Sequence, residues 1–406
     1  MEFNFVKVSS FYTNFLDSYY QSNPTFVTKN YNEQFLHLMD QGYGYSNYFP
    51  HYLEKNYSIP GIELIHNATY LQNAWAQENG NKLSGNRLLL EQLKFYSPEI
   101  LFIQDSANFG SAFIKKIREE VPSIKLLIGH CCAPYGNESI NAFGQYDLIL
   151  ACSERFLEDF KKKNIHSYLF PHAVESSLVS QPEQNPNPVN EIIFIGSLLN
   201  RKEFHKDRIS YIEEIIRNQL PLRIYGQLEM DTGYLLRAKQ AAYLMVKLLA
   251  AMQVKSNYSN KSLQKIGQLT EFPRKSSYSH SIRKNIINES FFGKEMLKTT
   301  GGYAIGFNQH GEVAGDYAAN VRMFEVTGAG ALLITDHKKN IRSLFEPDKE
   351  ILTYKNIEEC IEKLQWAISH PAEARALALA GQERALKDHS VEKRVDLLHE
   401  IIQKEL

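Results

Sequence analysis

Cysteine is scarce in this 406-residue sequence, and neither sign of charge prevails. The four cysteines, Cys131, Cys132, Cys152 and Cys360, form no Cys-x-x-Cys pair and lie in or beside apolar segments. That is the usage of reduced, buried residues in a cytosolic protein rather than of a disulfide scaffold. No set of His and Cys has the sequence spacing of a zinc site, so no metal is expected. A formal net charge of -1 excludes a chain that works by coating nucleic acid, because such coating needs a strongly basic face. The first ten residues lack a basic start followed by an apolar block, and so carry no readable secretory signal. No apolar run reaches the roughly 18 residues of a membrane-spanning helix. A cytoplasmic protein is expected, at most peripheral at the inner face of the membrane.

What is present is apolar content of 43%, enough for two domains with separate cores. From Arg87 onward helical periods alternate with short apolar runs. Strands are expected at Ile100 to Ile103, Ile124 to Ile128, Leu148 to Ala151 and Ser167 to Phe170, with a weaker one near Phe5 to Val8 and another at Ile62 to Ile65. Such alternation builds a parallel sheet covered on both faces. Ligands bind beyond the carboxyl ends of those strands, which directs attention to Asp105, His130, Ser153-Glu154 and His172. Gly42 and Gly44, interleaved with tyrosines, predict a tight turn open to a ligand. Residues 180 to 190 hold three prolines and no apolar periodicity, and read as the linker. This gives a first domain over 1–180, a linker over 181–190 and a second α/β domain over 191–406. The second domain opens with strand Ile192 to Ile195, loop Gly196-Ser197 and helix Asp207 to Arg217. A helical insertion is expected over about 231–290.

The most informative stretch is Gly315 to Asp336. It reads as a small-residue turn, a short helix carrying Asn320, Arg322 and Glu325, a Gly328-Ala-Gly330 stop and a buried strand. A helix that begins at Ala318, Ala319 and Asn320 leaves its first amides bare, and such an end holds phosphate through its N–H groups and dipole. Glu325, two turns further on, suits a pair of sugar hydroxyls. Arg322 to Asp336 resembles the C-terminal half of nucleotide-sugar glycosyltransferases of the two-Rossmann-domain GT-B fold, and most of all the spore-maturation-like branch of the group 1 family. The resemblance implies two Rossmann-like domains facing across a cleft, a donor nucleotide on the second domain and an acceptor on the first. It also implies that Glu325 holds the nucleotide ribose. The partner glutamate of the retaining members falls on Tyr317. The same resemblance puts the base pocket near Phe292 and Gly293.

Transfer from such a donor needs cationic or dipolar groups at the leaving diphosphate and a base for the acceptor. Candidates for the donor are Gly196, Ser197, Arg201 and Lys202, Asn308 and His310, the amides of Ala319, Asn320 and Val321, and Arg322, which is equally placed to pair with Glu325 three residues on. The first choice of base is His130, read as following directly on a strand, and the second is Asp105. No Asp-x-Asp pair occurs, which favours transfer without a metal and no cofactor beyond the sugar donor. The acceptor is a glycan, a lipid-linked sugar or a protein. Arg237 to Lys298 holds twelve basic residues against three acidic ones, a face for an anionic membrane or a solvated insertion. A nucleotide-sugar epimerase or hydrolase and a non-catalytic sugar-nucleotide-binding subunit are the alternatives. An NAD enzyme is disfavoured because neither Gly42-Tyr-Gly-Tyr nor Gly196-Ser-Leu-Leu completes the dinucleotide pattern.

Overall fold

The computed structural model describes residues 4–133, 135–180, 187–198, 206–226, 228, 233–251, 272, 278–287, 292–311 and 314–406. Among these residues the strands are β1 (Phe5–Ser9), β2 (Gly61–Ile65), β3 (Ile100–Ile103), β4 (Leu126–Cys131), β5 (Leu148–Ala151) and β6 (Ser167–Leu169), then β7 (Val189–Ile195), β8 (Leu222–Tyr225), β9 (Ile286–Ile287), β10 (Tyr303–Asn308), β11 (Leu332–Asp336) and β12 (Leu352–Tyr354). They form two wholly parallel sheets, ordered β2-β1-β3-β4-β5-β6 and β12-β11-β10-β7-β8-β9. In each sheet the chain first builds to one side and then returns to the other. The reversal falls between β1 and β3 in the first sheet and between β7 and β10 in the second. At such a switch point the connections leave in opposite directions and open a crevice at the carboxyl edge.

Both faces of each sheet are covered, which is why these strands read as continuous apolar runs. In the first sheet Val6, Val8, Leu101, Ile103, Leu127 and Ile149 face one core. The alternate residues Phe5, Ile100, Phe102, Leu126, Ile128 and Leu148 face another. The second face is closed by the Tyr48–Tyr57 helix and by the C-terminal helix Val391–Glu405, whose Val395, Leu398, Ile401 and Ile402 are buried there. The C-terminal helix therefore crosses back from the second sheet to the first. Arg394 anchors it by donating from Nε to the carbonyl of Pro171 at 2.9 Å and from Nη2 to that of His172 at 3.2 Å.

Several expectations shift. Strand β4 runs on to Cys131, so His130 lies inside a strand, paired with Leu150, rather than after it. Strand β7 starts at Val189, inside the expected linker, of which residues 181–186 lie outside the described ones. Within the expected insertion the described residues form the helices Gly233–Ala251 and His280–Asn285 and, unlike a wholly helical insertion, the edge strand β9 of the second sheet. Helices Thr13–Ser22, Tyr48–Tyr57 and Asn137–Phe143 are additions to the expected elements, because their tyrosines, asparagines and serines are poor helix formers. The first of them forms by burying Phe15, Leu16 and Tyr19.

One polar pair sits in the first sheet. Lys7 on β1 stands in register with Glu63 on β2, both about 1% exposed. The Lys7 ammonium lies 3.0 Å from each carboxylate oxygen and donates to Ser9 Oγ at 2.7 Å. Burial drives both toward neutrality, lowering Lys7 and lifting Glu63 to about 7, while each partner opposes the shift of the other. Lys7→Ala should cost roughly 3–5 kcal/mol in denaturant unfolding by leaving a buried carboxylate unmatched, and Lys7→Met with Glu63→Leu should recover most of it. A single variant as stable as the parent would refute the coupling.

Candidate active site

At the switch point of the second sheet, Gly196 and Ser197 leave β7 beside Asn308, Gln309 and His310 at the end of β10. Arg208, in the Lys206–Arg217 helix, ties the two ends together. It donates to the Ser197 carbonyl at 3.1 Å and twice to that of Gln309, at 2.8 and 3.2 Å. Arg208 is absent from the residues singled out by sequence; its only signal there is a cation one turn into the helix after a Gly-Ser loop. Asn308 is occupied internally. Its Nδ2 donates to Thr335 Oγ1 at 2.8 Å, and its Oδ1 accepts from Asn320 Nδ2 at 2.8 Å. Asn308 thus shapes the site instead of presenting its amide to a donor. The His310 amide donates to Asp336 Oδ1 at 2.9 Å and its Nδ1 lies 2.7 Å from the same oxygen, while buried Nε2 has no partner among the described residues. Burial works to raise Asp336, but the His310 contacts and Lys338 hold it well below the usual carboxylate range. The expected Arg201 and Lys202 lie outside the described residues.

The short helix spans Val321–Gly328, and Asn320 is its cap, accepting from the Met323 amide at 3.3 Å. The Ala318 amide is not bare, since it donates to Asn340 Oδ1 at 2.6 Å. Those of Ala319, Asn320, Val321 and Arg322 have no partner among the described residues. Along the helix, Arg322 Nη1 pairs with Glu325 Oε2 at 2.8 Å, with both side chains about four-fifths covered. Glu325 faces the first domain, where it adds to the burial that pushes the Tyr43 and Tyr45 hydroxyls upward. The turn before the helix also reaches across. Tyr317 Oη donates to Glu158 at 2.6 Å, and Asn340 Nδ2 to Glu154 at 2.8 Å. A cavity of about 280 Å³ lies behind it, between Ala318, Ala319 and Phe324 on one side and Cys152, Pro171 and Arg394 on the other.

At the switch point of the first sheet, Asp105 follows β3 and accepts from the Ser10 amide, just after β1, at 2.8 Å. Burial raises its carboxyl above the ordinary range, opposed by the Ser10 bond and by Lys7. His66 stands alongside with Nε2 2.9 Å from Ser10 Oγ. The buried His130 is less suited to proton transfer than expected. Its Nε2 lies 3.0 Å from Cys132 Sγ, and burial, with His172 nearby, lowers it to about 3, too weak a base near neutrality.

Phe292 and Gly293 also depart from expectation. Phe292 packs edge-on against Phe15 and Tyr43, at 5.5 and 5.6 Å between centroids. Gly293 has φ of +57° and lies so close to the first domain that a Cβ would stand 2.0 Å from the Gln41 carbonyl. The adjacent Lys294 amide donates to that carbonyl at 3.0 Å. This turn touches the first domain, where the Gly42 turn is its counterpart, and Phe292 borders the groove between the domains.

With this geometry in place, comparison with known proteins is informative. The chain aligns over its full length with HepE of Anabaena in complex with UDP, at 10% identity, 100% coverage of both chains and a TM-score of 0.56. The fold is GT-B. A glycosyltransferase of Rickettsia africae is similar over 100% of this chain and 98% of its own, at 12% identity and a TM-score of 0.51. Sucrose-phosphate synthase of Thermosynechococcus elongatus is similar over 84% and 82%, at 10% identity and 0.51. Residues 245–400 of this GT-B chain match the family described as glycosyl transferase-like. No curated protein matches it significantly in sequence.

Buried histidines give this GT-B chain an acid-sensitive seam. His389 is lowered to about 4, chiefly by burial, as is His66, and His130 goes to about 3. His389 is fixed as a neutral ring by Leu344 O, 2.7 Å from Nε2, and by Arg394, which donates to Nδ1 at 2.8 Å. Each ring takes up its proton in the unfolded chain near its ordinary 6.5 but stays bare in the folded one. Their contribution is whole above that pH and declines as pH falls toward 4, at up to about 1.4 kcal/mol per pH unit for each ring. Unfolding at pH 7 and pH 5 measures this slope, and His389→Gln should flatten it. Equal stability at both pH values would contradict it.

Proposed function

We propose that the protein is a glycosyltransferase that moves a sugar from a nucleoside diphosphate sugar to a hydroxyl of a glycan, lipid-linked or protein acceptor. The observation that carries this reading is the Val321–Gly328 helix, with partnerless amides at its start and the Arg322–Glu325 pair on the side facing the first domain. The amides and Arg322 receive the diphosphate, where negative charge grows as the bond from the anomeric carbon to the phosphate oxygen breaks. Glu325 turns from Arg322 to the ribose hydroxyls. Gly196, Ser197 and the unpartnered His310 Nε2 border the same crevice. No metal is assigned to the departing diphosphate, because these groups supply the positive potential.

Across the cleft Asp105 is the base. A carboxyl lifted by burial yet fixed by Ser10 is well matched to drawing the proton from an acceptor hydroxyl as its oxygen attacks the anomeric carbon. A groove of about 1000 Å³ bordered by Phe15, Tyr19 and Gln41 of the first domain and by Lys294 and Lys298 of the second suits an acceptor with sugar rings and an anionic group. UDP-sugars are the first donors to try, since HepE, a fold relative, is seen with UDP.

Glu325→Ala should weaken calorimetric binding of the donor by tenfold or more without loss of fold, and unchanged affinity would remove Glu325 from the ribose. Asp105→Asn should lower kcat by about a hundredfold or more while donor affinity holds, the pattern of a lost base. Full turnover in that variant would end the assignment. Rapid release of free UDP with no acceptor present would favour an epimerase or hydrolase.

The Gly233–Ala251 helix exposes Leu244 by 58% and Leu248 by 57%, beside Arg237 and Lys247. Among the described residues no helix is long and apolar enough to cross a membrane. Peripheral contact with an anionic bilayer, close to a lipid-linked acceptor, accounts for this face. Binding to phosphatidylglycerol vesicles should contribute about 1 kcal/mol per basic residue. It should fall as salt shortens the screening length below about 8 Å, leaving a salt-resistant part that Leu244→Glu with Leu248→Glu abolishes. Indifference to such vesicles at low salt would refute it.

A further inference from the structure

Cys132, Cys152 and His172 are used by neither the donor nor the acceptor site. They converge because the first sheet is parallel: Cys131 on β4 stands beside Ala151 on β5, and Ala151 beside Leu169 on β6. The residue after each of the first two strands is a cysteine, and the loop after the third brings in His172. Neighbouring strands lie about 4.8 Å apart, so the two thiols are side by side. One ligand atom from each of the three residues falls within 4.8 Å of the others. Beside this group, His130 Nε2, a nitrogen ligand, lies 3.0 Å from Cys132 Sγ.

We propose that Cys132, Cys152 and His172 form a binding site for a thiophilic divalent cation, zinc by chemistry, with His130 at hand for the fourth position. Around tetrahedral zinc, sulfurs at about 2.3 Å and imidazole nitrogens at about 2.0 Å stand roughly 3.5–3.8 Å from one another, so the three ligand atoms, within 4.8 Å, would close by about 1 Å at most, while His130 Nε2, 3.0 Å from Cys132 Sγ, would draw back slightly. Two thiolates also cancel the charge of the ion, which a largely buried site requires. The surroundings support the assignment independently. Tyr45 Oη lies 2.8 Å from His172 Nδ1, leaving Nε2 to coordinate. Such outer contacts orient the imidazoles of metal sites. The ion would knit the carboxyl ends of β4 and β5 to the segment that Arg394 grips, and so brace the first domain where the C-terminal helix docks. Its role is structural, and it takes no part in the departure of the diphosphate.

The test uses the full chain, purified with reductant, stripped by a chelator and titrated with Co2+. One equivalent should give the intense visible bands of a tetrahedral thiolate site, and Zn2+ should bleach them. Zn2+ should also raise the melting temperature, since a ligand bound only by the folded state stabilises it. Cys152→Ser and His172→Ala should each weaken binding a hundredfold or more, and Tyr45→Phe about tenfold. Circular dichroism checks the fold of each variant, and half-buried His172 carries the test if the buried Cys152 variant does not fold. The proposal is overturned if the reduced parent chain gives no thiolate bands and no shift in melting temperature. It is equally overturned if His172→Ala and Tyr45→Phe bind Co2+ as the parent does, or if the two thiols close to a disulfide and the reduced protein takes up no metal.

Discussion

Parallel pairing is the constraint on which everything else here rests. Because every strand of both sheets runs the same way, each αβ crossover delivers its loop to one edge, and residues far apart in sequence arrive together there. Asp105 meets Ser10, 95 positions away, and Asn308 meets Asn320 and Thr335 only because β3 lies beside β1 and β11 beside β10. The same alignment sets two cysteines 20 residues apart shoulder to shoulder. A sheet with mixed directions would scatter these groups to opposite ends.

The switch points give the two edges different characters. The first sheet ends in an acidic and aromatic rim, with Asp105, Tyr12 and Tyr43. The second ends in amides and cations, with Arg208, Arg322 and the open start of the Val321–Gly328 helix. The proposed donor, being anionic, suits the second edge, and the proposed base the first. The contacts that hold the edges facing one another are small and polar, such as Tyr317 with Glu158, Asn340 with Glu154 and Lys294 with Asp40. Helix Val391–Glu405 and the packing of Phe292 on Phe15 and Tyr43 supply the apolar share.

Much of this architecture could be read directly. Residues such as Ile100–Ile103 and Leu222–Tyr225 are short apolar runs between turns, and the helix at Ile357–Ser369 is amphipathic and capped by Asn356. The Arg322 to Asp336 stretch was legible because turn, helix and strand chemistry coincide within a few residues. What escaped was tertiary. His130 looked like a strand-end base because the apolar run ends at Ile128, whereas pairing with β5 carries the strand three residues further, to Cys131, and under cover. Phe292 looked like a base platform because an aromatic before a helix has no local signature of the partner it will meet. The thiol and imidazole group has no motif spacing, since its members come from three different strands.

The C-terminal helix has a consequence for how the chain is made. One face of the first sheet, including Phe5, Phe102 and Leu150, is closed in part by the Tyr48–Tyr57 helix and completed by Val395, Leu398 and Ile402. A ribosome releases the first domain's strands long before it has synthesised that cover. The first domain therefore leaves the exit tunnel with an open apolar surface, and its core is completed only after the whole second domain has been translated. Domain-by-domain folding during synthesis is interrupted in this chain. The part of that face that helix Tyr48–Tyr57 leaves uncovered stays open to solvent during that interval.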